Sequence, residues 1–534
     1  MQAISSLMKR RDFIQTTAAA TAGTTLLSGF PLGAYGFSPE LLALTGGATP
    51  TDKVLVIVQL QGGNDGLNTI IPLDQYSALM TARANIALPE SSVLKLTAAT
   101  GIHPAMAAVH SLFQNSKIGV VQSASYPQPN FSHFRATDIW TSGSDSNVTW
   151  NTGWAGRYLD SEYADYPTGY PSAQFPDPLA ISIGSVVSNC VQGPSVNMGM
   201  AIASTSSFYQ LLSGGTDTAP NTPAGHELSF IRQMVSQTQV YTKTIQAAAG
   251  RAANLSPLYP VAGQNSLADQ LKIVAQLVAG GLQTRIYVCN LGGFDTHVNQ
   301  VSTTGGTTTG NHATLLGKLA GAIDAFQDDL RRLNIQDRVV GFTFSEFGRR
   351  IRSNSGLGTD HGTAAPMFMF GSQVNPIVHG TNPSLPANAG VNDNLAMQFD
   401  FRSIYTSVLQ DWFQVPPATL AQLFGRSFPY VPVLRLGAVV TAAATVQPVG
   451  NFAVFPNPAP RDGQAIVTFD SEGGPTYLRL LDGLGREVRR PVDGRSLAHG
   501  PQRIALDLSG LAPGAYHCLV QQGARQDSRV VVME

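Results

Sequence analysis

A carboxylate and an imidazole stand two residues apart in Gly-Gly-Phe-Asp-Thr-His (292–297), directly after the apolar run Arg285 to Leu291. Asp295 and His297 are a pair that a metal ion could use, provided that other stretches supply further ligands. Gly-Gly-Asn-Asp-Gly (62–66) brings Asp65, Ser-Glu-Phe-Gly-Arg (345–349) brings Glu346, and Gly-Thr-Asp-His-Gly (358–362) brings Asp360 and His361. Mixed carboxylate and imidazole ligands suit Zn²⁺, Mn²⁺ or Fe, whereas an all-oxygen set would favour Mg²⁺ or Ca²⁺. One or two divalent ions are therefore expected, and the residue types do not choose among Zn, Mn, Fe and Ca. Each residue also has a purely structural use. Asp65 before glycine can shape a turn, Asp295 can cap a helix, Glu346 can pair with Arg349 or Arg350, and His361 can be a hydrogen-bonded core histidine.

What favours a metal is the elements that these groups follow. Lys53 to Gln61, Lys117 to Ala124, Thr284 to Leu291 and Arg338 to Ser345 are β-branched runs, apolar on both faces, as in a parallel sheet covered by helices. Leu315, Leu316, Leu319, Ile323, Phe326, Leu330 and Leu333 recur at three- and four-residue spacing and predict a helix joining the last two of those strands. The fold class is α/β. In such sheets ligands collect at the carboxyl ends of the strands, and all the acid and imidazole groups fall on that edge. Tyr126 to Arg135, with its own histidine, His133, follows the second strand.

With 534 residues, 43% hydrophobic and only 13% charged, the chain can bury sizeable cores in two or three folded units. A formal net charge of −1 gives no long-range field for nucleic acid or anionic lipid, so neither is an expected partner. Cys190, Cys289 and Cys518 are far apart, and their spacing supports neither a disulfide framework nor a zinc cluster.

The two ends read as addresses. Lys-Arg-Arg-Asp-Phe-Ile-Gln (9–15), with the adjacent Arg10 and Arg11, precedes a stretch rich in Ala and Thr and resembles a twin-arginine export signal within a leader at 1–45. That stretch is too short for a stable transmembrane span. The main α/β domain is read at 46–440 and a linker at 441–451. Short period-two segments broken by Asp-Gly and Pro-Gly turns then predict an all-β sandwich of about seven strands at 452–534. Phe-Pro-Asn-Pro (455–458), Leu-Leu-Asp-Gly-Leu-Gly-Arg-Glu-Val (480–488) and Leu-Ala-Pro-Gly-Ala-Tyr (511–516) resemble the type A sorting domain of the type IX secretion system. That resemblance implies transit through the periplasm, with twin-arginine and type IX machinery as partners, and delivery to the cell surface or beyond.

Taken with His-Pro-Ala-Met (103–106), Trp-Ala-Gly-Arg-Tyr-Leu (154–159) and Ser-Glu-Phe-Gly-Arg (345–349), the strand-end motifs make residues 52–434 resemble the bacterial family catalogued as domain of unknown function 1501. That family is similar to the alkaline phosphatase, sulfatase and phosphopentomutase superfamily. The resemblance implies an alkaline phosphatase-like, mostly parallel sheet and metal-dependent hydrolysis of phosphate or sulfate esters of small molecules or glycans. It matches Asp65 to the superfamily's first-strand Asp, Asp295 and His297 to a later Asp and His at a shorter gap than usual, and His361 to the last metal His. An Asp-His pair of the superfamily falls on Glu346-Phe347, where the imidazole is missing and His133, beside Ser132, could replace it. The resemblance gives Ser132 the place of the nucleophile, His133 a place beside it and Arg135 a role in binding the anion. Thr137 is a second candidate hydroxyl. The missing imidazole favours an alternative, a surface protein that keeps the fold for binding or assembly without catalysis.

Overall fold

The run Val54–Leu60 forms strand β1, buried along its whole length. Its alternate residues enter opposite cores. Leu55 and Ile57 join Trp140, Trp154 and Tyr405, while Val54, Val56 and Val58 join Leu316, Ile323 and Phe326. This is the period-two consequence of a strand covered on both faces. The computed structural model describes residues 52–163, 165–204, 241–435, 449–460, 463–481, 487–522 and 525–533, with a short strand pair at Leu26–Leu27 and Phe30–Pro31. The twin-arginine motif and most of the expected linker lie outside the described residues.

Around β1 run β2 (Ile118–Ser125), β3 (Ala180–Ile183), β4 (Gly199–Ile202), β5 (Ile286–Leu291), β6 (Val339–Phe344), β7 (Ala365–Gly371), β8 (Val378–His379) and β9 (Phe399–Asp400). They make a nine-stranded sheet in the order β8-β2-β7-β6-β1-β5-β3-β4, with β9 also paired to β2. Only the pairings of β7 with β6 and with β2 are antiparallel; β1 is parallel to both β5 and β6. The mostly parallel sheet expected from the sequence is present. Because β7 alone runs the other way, its beginning lies on the edge where β1, β2, β5 and β6 end. Adjacent strands thus gather the loops that carry Asp65, His133, Asp295, His297, Glu346, Asp360 and His361 on one rim.

The covering helices are α1 (Tyr76–Arg83), α2 (Ala107–Gln114), α3 (His133–Ser142), α4 (Trp154–Glu162), α5 (Ser266–Ala279), α6 (Asn311–Arg332), α7 (Phe401–Phe413) and α8 (Pro417–Phe424). The expected crossover helix is α6, which buries Leu316, Leu319, Ile323, Phe326 and Leu330. Helix α3 is held by Trp140, whose indole stacks on Phe344 at 5.5 Å and Phe401 at 4.3 Å between ring centres. That packing fixes where the first turn of α3, and with it His133, meets the rim.

The apolar pattern of β1 breaks at its end. Gln59 continues the face of Leu55 and Ile57, where an aliphatic side chain would gain about 1.5–3 kcal/mol by burial. Gln59 is nevertheless only 8% exposed, and its register partner on β5 is another carboxamide, Asn290.

The chain divides into two compact units, residues 1–436 and 437–534. The second contains β10 (Ala453–Phe455), β11 (Gln464–Ser471), β12 (Gly474–Leu481), β13 (Glu487–Leu497), β14 (Gly500–Asp507), β15 (Gly514–Gln522) and β16 (Arg525–Met533). They form antiparallel sheets of three strands, β10-β11-β14, and four, β13-β12-β15-β16. Val467, Phe469, Leu478, Leu480, Val520 and Val531 share one core between the sheets. All three cysteines are buried and unbridged, and no helix among the described residues is long and apolar enough to cross a membrane.

Candidate metal centre

Three imidazoles meet one carboxylate on the rim. His133 opens α3 and places Nε2 3.5 Å from Asp295 Oδ2. His361, just ahead of β7, places Nε2 3.3 Å from Asp295 Oδ1, and His297 places its own Nε2 3.2 Å from the same oxygen. The Nε2 atoms of His297 and His361 are 2.9 Å apart. Ligand atoms of His133, Asp295 and His361 all lie within 4.8 Å of one another; His297 extends this trio from the side of Asp295 and His361.

The opposite nitrogen of each ring faces an acceptor. His133 Nδ1 is 2.9 Å from Glu346 Oε1, His297 Nδ1 is 3.3 Å from Asp360 Oδ1, and His361 Nδ1 is 2.9 Å from the carbonyl oxygen of Phe131. A carbonyl or carboxylate oxygen only accepts, so each Nδ1 carries the proton and donates it. In the neutral rings the Nε2 lone pairs then point at one another and at Asp295. Such a cluster of acceptors is mutually repulsive without a cation among them. Around a four-coordinate zinc, ligand atoms at the usual bond lengths stand about 3.3 Å apart. The donor set thus fits a divalent ion, and the acceptors behind each ring match the outer partners that orient metal-binding histidines.

Backbone packing explains why the loops come so close. Gly62 has φ +122°, and a Cβ there would lie 2.2 Å from the backbone nitrogen of Asp295. Its N–H donates to Glu346 Oε1 at 2.8 Å, so the β1 loop grips the carboxylate that holds His133. Arg349, 1% exposed, donates to the carbonyls of Gly62, Gly63, Phe294 and Thr359 and to Asp295 Oδ1 at 2.8 Å. Burial works to raise the Asp295 carboxyl, but the hydrogen bond and charge of Arg349 act against it, and the carboxyl lies below the usual carboxylate range. For His361, burial prevails and lowers the imidazole below its ordinary value. Phe347 forms an apolar wall, with ring centres 4.4 Å from His361 and 4.9 Å from His133.

Asp65, expected as a ligand, does not join this cluster. It is 1% exposed and accepts from Arg83 Nη1 at 2.8 Å on each oxygen and from Gln300 Nε2 at 2.6 Å. Gln300 Oε1 in turn accepts from Thr296 and Thr359, which flank the ligand loops. Glu346 and Asp360, also expected as ligands, stand behind His133 and His297 instead. Ser132 precedes α3 at its N-cap without a side-chain capping bond and is exposed. Arg135 closes a loop by donating from Nη2 to the carbonyls of Asp145, Ser146 and Val148, and it does not line the cavity beside the cluster. A cavity of about 450 Å³ opens beside the cluster, lined by His133, Asp295, Glu346 and Thr137. Thr137 lies one helical turn beyond His133 on the same face of α3, and it is the hydroxyl of α3 that reaches this cavity.

The sequence of residues 242–423 matches the family described as "Protein of unknown function (DUF1501)". No curated protein matches the chain in sequence. Among solved structures it is similar to a protein in the alkaline phosphatase superfamily from Vibrio parahaemolyticus, at 8% identity and TM-score 0.31 over 91% of this chain and 83% of that one. It is also similar to a phosphonate monoester hydrolase from Silicibacter pomeroyi, at 10% identity and TM-score 0.29 over 90% and 89%. A third is the PsFucS1 sulfatase from Pseudoalteromonas sp., at 12% identity and TM-score 0.29 over 71% and 74%. At this overlap the chemistry has to be read from the side chains.

Arg83 and Gln300 were not legible as site residues, because no motif marks an arginine 18 positions after Asp65. Arg349 was visible only as a neighbour of Glu346, and its partner is Asp295. Changing Glu346 to Gln should keep the fold and weaken divalent metal binding about 10- to 100-fold, since His133 loses the carboxylate that orients it. Titration of the metal-free protein with Zn²⁺ measures this, and unchanged affinity would show that Glu346 has no part in the centre.

Proposed function

We propose that the chain is a metal-dependent hydrolase of phosphate or sulfate esters. The observation that carries this reading is the convergence of three Nε2 atoms on Asp295, with every Nδ1 proton already given to an acceptor. His133, Asp295 and His361 would hold the ion, with His297 completing the set. A bound divalent ion would supply Lewis-acid stabilisation to an ester oxygen. The protein's own groups keep the ligands in place: Glu346, Asp360 and the Phe131 carbonyl fix the rings, and Arg349 fixes the carboxylate. The adjoining cavity admits a small ester, and Thr137 is the hydroxyl placed to meet it.

A second reading, a metal-binding surface protein without catalysis, draws support from the exposed position of Ser132 and the engagement of Arg135. One experiment separates them. Protein purified without chelator should contain a divalent metal by mass spectrometry and should hydrolyse 4-nitrophenyl phosphate or sulfate, with activity lost to chelation and restored by the ion. Metal without turnover favours the second reading; neither metal nor turnover in folded protein removes both. The paired arginines and the sorting phrases support export, with the periplasm as a stage and the cell surface or medium as destination. Cell fractionation with Arg10 and Arg11 changed to Lys would test that route, retention in the cytoplasm being the expected result.

A further inference from the structure

Next to the metal-centre cavity lies a second one, of about 370 Å³, and the two share Gln59, Gln61, Thr137 and Asn189. Together they form a trough along the ends of β1, β5 and β3. Gln59 lies on β1 and Gln61 directly follows that strand, and Asn290 stands opposite Gln59 on β5. No side-chain hydrogen bond joins any of these carboxamides, or that of Asn189, to the described residues. Gln59 is more than nine-tenths buried, so a strand that elsewhere buries only apolar groups here aims an unpartnered donor and acceptor into the trough. Ser182, on β3, and Thr137 add hydroxyls. No Lys or Arg lines either cavity. At the mouth Phe134 is 87% exposed, an aromatic face in water beside polar walls.

Resting on the ester-hydrolase reading, we infer that this trough binds an uncharged sugar unit and that the substrate is a sulfate or phosphate ester of a sugar or short glycan. A carboxamide presents an acceptor and two donors side by side, which matches neighbouring hydroxyl groups of a sugar ring. An exposed aromatic face covers the apolar C–H face of such a ring. The lack of cations excludes a second anionic group in the trough, so one ester group meets the metal centre while the rest of the ligand is neutral. A nucleotide is a poorer fit, because Phe134 offers one face rather than a slot for a base.

The test compares kcat/KM for sulfated and phosphorylated disaccharides with that for 4-nitrophenyl sulfate and phosphate, and titrates the unesterified disaccharide by calorimetry. Phe134→Ala and Asn189→Ala remove groups with no internal bonding role, and circular dichroism checks their fold. The expected result is that sugar esters exceed aryl esters at least tenfold in the native protein. Each variant should shrink that ratio at least tenfold and weaken binding of the neutral disaccharide. Equal turnover of sugar and aryl esters with no change of ratio would overturn the sugar trough while leaving ester hydrolysis standing. Faster turnover of a nucleoside monophosphate would overturn it as well. Binding of the neutral sugar, lost in the variants, without hydrolysis of any ester would support the trough and remove the hydrolase reading instead.

Discussion

Replacing His361 by alanine should strip the protein of its divalent ion and of ester hydrolysis together. The His361 ring is the hinge of the cluster: its Nε2 lies 2.9 Å from that of His297 and 3.3 Å from Asp295 Oδ1. Its Nδ1 is tied to the Phe131 carbonyl at 2.9 Å, so rotation cannot substitute another atom. Loss of a partner behind a ligand costs about 10- to 100-fold in affinity, and loss of the ligand itself should exceed about 100-fold. The side chain is 21% exposed and rests against the ring of Phe347 at the rim, outside the two cores of the sheet, so the fold should survive. Metal content by mass spectrometry and turnover of aryl esters, on protein with native circular dichroism, give the answer. A folded His361→Ala protein that keeps both its metal and its turnover would show that the imidazoles serve structure alone.

How far the sequence foretold this centre depends on the kind of signal each residue left. The four apolar runs were legible because burial on both faces imposes the same β-branched pattern on any central strand, and they became β1, β2, β5 and β6. The rim was legible for the same reason: motifs that follow parallel strands share an edge. The antiparallel course of β7 was not encoded in any local pattern, yet it is what brings His361 to that edge. Roles within the rim were harder to read. An Asp before Gly is the same pair of residues whether it binds a metal or receives a buried arginine, and the arginine that decides the matter for Asp65 sits on a different helix. His133, which the resemblance offered in place of an imidazole at Phe347, reaches the cluster because Trp140 pins α3 against β6 and α7. Gln59 and Asn290 do carry a signal of their own, two carboxamides in otherwise apolar strands.

Changing Arg83 to Met should destabilise the first unit by about 3–5 kcal/mol at neutral pH, the cost of leaving a buried charge unpaired. Arg83 and Asp65 are 0% and 1% exposed, and with the guanidinium gone Asp65 keeps only Gln300 as a hydrogen-bond donor from a side chain. The pH dependence has a sign that distinguishes this mechanism from simple loss of packing. In the native protein, burial pushes the Asp65 carboxyl up, but the charge and hydrogen bonds of Arg83, with help from His312 and Gln300, bring it below its ordinary value. A carboxyl lowered on folding contributes stability that is fully present above the unfolded value, about pH 4, and lost as pH falls through the folded one. Without Arg83, burial is opposed only by His312 and Gln300, and the folded carboxyl should rise above the unfolded value. The folded variant then binds the extra proton, so its deficit against native protein should shrink as pH is lowered from 7 toward 5. Adding Asp65→Asn to Arg83→Met should recover part of the loss at pH 7 and flatten that pH dependence, because no charge is left to bury. Urea unfolding followed by tryptophan fluorescence reads the right unit: the four tryptophans, Trp140, Trp150, Trp154 and Trp412, all precede residue 437. A deficit that stays constant with pH would mean that Arg83 acts through its packing and its bonds to the carbonyls of Arg350 and Ile351. A shrinking deficit fixes Asp65 as the buried anchor that, through Gln300, steadies the two loops bearing His297 and His361.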